Sequence, residues 1–177
     1  MLLIFFLSIL ISFDKIISFL EREYGLLGNS ITSYALQKVR IIERDIFRAW
    51  CEWLCRNSFM PFEKEVRKNN LIEKLYKFEC LLNESNTGFI DPVFLNTFET
   101  IPGTGDIIFI PYIERINASL FYYKGFNLRE KFTGIDKWLT LLESKSTYTG
   151  TQGDFHTHSH DLPPQMGGCF KEVNEKQ

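Results

Sequence analysis

The sequence predicts an all-α protein, a helical bundle with an irregular C-terminal tail, and three observations carry that prediction. Apolar residues recur at steps of three and four over long stretches between residues 31 and 146, the spacing of helices with one buried face. No segment before residue 147 shows the two-residue alternation of a strand. Residues 103–106 read Gly-Thr-Gly-Asp just ahead of such an apolar run, which puts a carboxylate where the first backbone N–H groups of a helix need acceptors. Composition agrees with a soluble domain: 45% hydrophobic and 24% charged residues are ordinary values, and 17 Phe, 7 Tyr and 3 Trp fill a sizeable core. The 177 residues suit one domain with extensions. Twenty basic against 22 acidic residues, with no run of like charge, lack the footprint of a nucleic-acid binder.

Residues 1–30 form an apolar extension, with Met1 to Phe13 almost wholly apolar before Asp14 and Lys15. A membrane-spanning helix needs roughly 20 apolar residues, and a secretory signal needs a basic start and a small-residue cleavage site. The continuation through Ile16, Ile17, Phe19 and Leu20 favours a helix buried on the domain or facing a partner, with a signal-like or membrane-associated segment as the other reading. Residues 31–146 form the helical domain. Ala35, Val39, Ile42, Ile46, Trp50 and Trp53 mark an amphipathic helix over Ile31 to Arg56. Met60-Pro61 breaks it, and Phe62, Val66, Leu71, Leu75, Phe78 and Leu82 mark a second helix that leaves through the polar residues 83–88. Residues 89–103 read as irregular, with a short helix around Val93 to Phe98.

The third helix starts at Gly103, the expected N-cap, with Asp106 at its third position, and runs through Phe109, Ile113, Ile116 and Leu120 to Gly125. This should be the most buried helix, and replacing Asp106 by Ala should cost about 1 kcal/mol, or about 2 if the helix start is dry. Pro111 removes a donor inside it and bends its axis. The Gly-x-Gly here is no nucleotide loop, because no strand precedes it. Leu128 to Lys131 reads as a turn, and Ile135, Trp138, Leu141 and Leu142 mark a last helix from Gly134 to Ser146. Residues 147–177 form the tail.

Cys51, Cys55, Cys80 and Cys169 make no C-x-x-C pair and suit free thiols in a reducing, cytoplasmic setting. Cys51 and Cys55 lie near the Trp side of the first helix and read as small buried hydrophobes. The sequons at Asn83 and Asn117 read as chance.

The stretch Gly103-Thr104-Gly105-Asp106-Ile107 with Pro111-Tyr112-Ile113-Glu114-Arg115 resembles the start and middle of the buried sixth helix of glutathione S-transferases. Their capping box has Ser or Thr where this chain has Gly103. The resemblance continues through Ile113 to Phe126, Trp138 and the run from Gly150 to Cys169, which is similar to a transferase-like group with a histidine-rich tail. It implies an all-helical C-terminal domain that walls a hydrophobic co-substrate site, while glutathione and the catalytic residue belong to an N-terminal thioredoxin-like domain. No βαβ pattern or C-P-x-C motif precedes residue 100, so the resemblance implies a truncated or reduced chain without its own glutathione site. Whether it is an enzyme stays open, and glutathione is implied by the resemblance alone. The implied partners are a thioredoxin-like domain or a second copy, with nucleic acid not expected.

Trp50, Tyr112, Arg115 and Tyr123, with Trp53 and Tyr122 beside them, are candidates for the pocket wall or for plain core, and Arg115 for an anionic ligand or a structural ion pair. His156, His158 and His160 alternate; on an extended strap their imidazoles share a face and, with Asp154 or Asp161, offer zinc ligands. The other reading is a structural strap whose histidines dock the tail. Two functions follow: a transferase-like domain shaping a co-substrate pocket, or a non-enzymatic helical interaction module.

Overall fold

A computed structural model describes residues 33–94 and 99–162, with side chains from residue 38 onward. The apolar segment 1–30 and Cys169 lie outside the described residues. Helices α1 (Ser33–Cys55) and α2 (Pro61–Glu84) form a hairpin. Pro61 opens α2, where its missing N–H costs nothing. The inward sides meet at Ile46, Trp50 and Leu54 of α1 and Leu71, Leu75 and Phe78 of α2, all buried.

The chain then makes two strands that the sequence does not announce, β1 (Pro92–Phe94) and β2 (Thr100–Pro102), antiparallel with Val93 opposite Ile101. This corrects the expectation of no strand before residue 147 and of a short helix at Val93 to Phe98; residues 95–98 of that span lie outside the described residues. The hairpin is short and has Pro at both outer ends, so it carries no alternation to read. Its base is fixed by Gly103, whose N–H donates to the Asp91 carbonyl at 2.7 Å.

Helix α3 (Thr104–Lys124) runs through the centre, with Phe109, Ile113, Ile116 and Leu120 fully inaccessible. Gly125 ends it in the left-handed region at φ 60°, and its N–H returns to the Phe121 carbonyl. Phe109 and Trp138 both pack on Phe78, with ring centroids at 4.3 and 5.4 Å. Trp50 donates its indole N–H to Ser119 Oγ at 3.0 Å, tying α1 to α3.

The expected turn at 128–131 is the short helix α4 (Leu128–Lys131), and α5 (Thr133–Glu143) follows, ending before the expected Ser146. Arg129 joins them by donating to Asp136, to Glu143 at 2.7 Å and to Thr140 at 2.9 Å. The tail is not irregular throughout: α6 (Ser146–Thr149) and α7 (Phe155–His160) are short helices, and α7 packs on α3. Among the described residues no helix is long and apolar enough to cross a membrane.

Candidate functional site

Asp106 organises the start of α3. Its side chain has no exposure, and it accepts from the Ile90 and Asp91 N–H groups, each at 2.9 Å, and from Trp138 Nε1 at 2.8 Å. The donors therefore come from the incoming loop and from α5, rather than from the first turn of its own helix. Burial, and then the neighbouring Asp91 charge, push the Asp106 carboxyl up, against the pull of these three hydrogen bonds.

Gly103 is the N-cap, and the cap itself comes from outside the helix: Asp91 Oδ2 accepts from the Gly105 N–H at 3.3 Å. A Cβ on residue 103 would run into the Asp91 carbonyl oxygen and lie 2.5 Å from its Oδ2. Asp91 fills the space that a Ser or Thr side chain would need, which is the physical reason for glycine here.

This clamp sets the wall of a groove of about 890 Å³ between β2, one side of α3 and the segment from α5 to α6. Ile107, Ile110 and Pro111 of α3 form its apolar floor, flanked by Ile101, Pro102 and Leu142. Glu114, Tyr148 and Gln152 form a polar end. The Glu114 carboxylate is nearly buried; it accepts from the Tyr148 hydroxyl at 2.5 Å and stands 3.6 Å from His158 Nε2. Burial, then the Glu114 carboxylate, push the Tyr148 hydroxyl well above its ordinary value, so it stays protonated and donates. A smaller cavity of about 90 Å³ lies behind the same three residues and reaches His158. The groove can hold an apolar molecule and offer it one polar end.

None of the four expected pocket residues lines this groove. Trp50 is in the core. Tyr112 is half-buried against Phe47 at 5.8 Å, its hydroxyl pushed up by burial and then by Glu43. Tyr123 is buried beside Tyr122, and Trp53 packs on Phe126. Arg115 Nε lies 3.0 Å from Asp161 Oδ2, a contact between charges. Aromatics at helical spacing face the core, whereas the groove is lined by aliphatic residues from distant segments. The single sequence signal near it is Pro111, inside a helix.

The histidines do not share a face. Asp154 caps α7, accepting from the Thr157 N–H at 2.9 Å and from its hydroxyl at 2.6 Å. In a helix, a step of two residues turns the side chain to the opposite side. His156 and His160 stack at 4.2 Å, and His158 turns toward Glu114. Asp154 and Asp161 are engaged by Thr157 and Arg115. Among the described residues no group of three His, Cys, Asp or Glu is placed to hold a metal, which corrects the shared-face geometry on which a three-histidine zinc site rests.

Cys51, Cys55 and Cys80, among the described cysteines, form no disulfide. Burial pushes the Cys51 thiol up to about 11, which keeps it protonated and unreactive. No protein-family model matches the chain, and no curated protein matches it.

Proposed function

We propose that this chain is a glutathione S-transferase-like helical domain whose groove along α3 shapes the binding place of an apolar co-substrate. The observation that carries the reading is the groove itself: Ile107, Ile110 and Pro111 make an apolar floor ending at the Glu114–Tyr148 pair. The Gly103 to Asp106 helix start supports it, because it is the segment that resembles the transferase capping box. Glutathione and the thiol-activating residue belong, by the resemblance, to a thioredoxin-like partner domain.

The test is titration of the full chain with an environment-sensitive naphthalene dye. One dye should bind per chain, Ile110→Trp should weaken it by about tenfold by filling the floor, and Tyr112→Ala, outside the groove, should leave it unchanged. Added glutathione should not compete. Unchanged affinity in Ile110→Trp removes the groove from the reading. A second reading, a non-enzymatic interaction module, is favoured by the exposed aromatic side chains at the α1–α2 turn.

A further inference from the structure

The turn between α1 and α2 displays a compact set of apolar side chains: Phe59 is 88% exposed, Phe62 66%, Val66 62% and Met60 55%. Isolated exposed apolar residues are ordinary, but a cluster of this kind calls for a partner. The turn is braced. Arg67 Nη1 donates to the carbonyls of Arg56 and Asn57 at 3.1 and 2.9 Å and to Ser58 Oγ at 3.0 Å. The Phe59 N–H donates to Glu63 Oε2 at 2.9 Å, the Met60 carbonyl accepts from the Glu63 N–H at 3.0 Å, and Pro61 has no N–H. These backbone polar groups at the tip are thus satisfied or missing, which lowers the main cost of moving a turn into an apolar medium.

Charge sharpens the choice of partner. Residues 56–68 hold four basic side chains, Arg56, Lys64, Arg67 and Lys68, against two acidic ones, in a chain of net charge −2. Of the acidic pair, Glu63 is engaged by the Phe59 N–H, and Glu65 lies 3.4 Å from Lys68.

We propose that this tip docks the protein on an anionic bilayer, with Phe59, Met60 and Phe62 at headgroup depth and Arg56, Lys64 and Lys68 beside the lipid phosphates. Aromatic rings settle at the membrane interface, and cations near an anionic leaflet add to the attraction. A protein partner fits less well. The end of a helix hairpin is convex, and a bilayer needs no matching pocket. This inference stands apart from the groove and does not depend on it.

The test is co-sedimentation of the full chain with phosphatidylcholine vesicles, with and without phosphatidylserine. Binding should require phosphatidylserine, weaken with salt, and fall by about tenfold or more both in Phe59→Ser/Phe62→Ser and in Lys64→Glu/Lys68→Glu. Phe59, Phe62 and Lys64 are exposed and Lys68 is half-buried at the surface, so the unfolding midpoint should hold. Phe59→Trp gives a direct readout: the emission of the introduced indole should shift to the blue on vesicles and be quenched by brominated acyl chains. The proposal is overturned if the chain ignores vesicles, if binding survives Phe59→Ser/Phe62→Ser, if the emission of the Phe59→Trp variant is unmoved, or if the double Ser change instead converts a dimer to a monomer.

Discussion

The start and the middle of α3 are both held by carboxylate chemistry, in different surroundings. At the start, Asp106 is wholly buried and meets three donors at 2.8–2.9 Å. At its middle, the tail docks through Glu114 facing His158 at 3.6 Å, a nearly buried pair, and Arg115 facing Asp161 at 3.0 Å, with side chains 40% and 35% exposed. Buried donors that lose their acceptor find no water and cost their full desolvation. Exposed charges that separate are rehydrated, and the pair is worth about 0–1 kcal/mol. The same chemistry therefore makes a fixed joint at the helix start and, at the Arg115–Asp161 pair, a more adjustable one midway along it, while the Glu114 end of the groove is nearly buried.

Three changes test that contrast, in order of decreasing effect. Asp106→Ala strands two backbone N–H groups and the Trp138 indole, and should cost about 3–5 kcal/mol, well above the one or two expected from sequence. Chemical unfolding measures it, and a loss below about 1 kcal/mol would erase the difference between the two joints.

Gly103→Ser comes next. Serine is a favoured N-cap, yet its Cβ would press on Asp91, so the change should destabilise by about 1–3 kcal/mol. Asp91→Ala/Gly103→Ser should leave most of that loss in place, because the Asp91 carbonyl oxygen, the atom the new Cβ meets first, belongs to the backbone and remains. A stabilising Gly103→Ser on its own would show that Asp91 does not fill the cap position.

The smallest effect is at the tail. The Thr157 hydroxyl and N–H hold the exposed Asp154 carboxyl below its ordinary value of 3.8. A folded value below the unfolded one means stability that is present above 3.8 and lost as pH falls through the folded value. Asp106 has the opposite sign. Its folded value is raised, so its linkage favours the folded state at low pH and weakens it as pH rises from the ordinary value toward the raised one. Amide protection, corrected for the fall in intrinsic exchange rate on lowering the pH from about 5 to about 3, should therefore drop at residues 155–160 before residues 104–108. The reverse order would contradict the contrast.

How much of this was legible depended on sequence distance. The α1 and α5 faces, the α2 face from Leu71 to Leu82 and the Gly103 and Asp106 positions follow from spacing within a few residues, whereas Phe62 and Val66, on the same α2 spacing, are exposed; the mostly helical architecture follows with them. The role of Asp91 did not, because it caps a helix from 14 residues upstream. The β1–β2 pair was hidden by its prolines. The alternating histidines suggested an extended strap, although Asp154 three residues before Thr157 is a helix-start signal that could have corrected it. The groove had no local pattern, since β2, α3 and the α5–α6 segment each supply a few residues.

The Asp106 clamp also bears on the order in which the chain assembles. Its three donors lie 16, 15 and 32 residues away along the chain, whereas Trp50 reaches Ser119 across 69 residues. Closing the shorter loops costs less entropy, and the cost grows only with the logarithm of length. Residues 90–138 can therefore gather around one carboxylate as an early kinetic unit, before α1 finds α3. Among the described residues the most buried charge-bearing side chain is thus placed to organise its neighbours in time as well as in space.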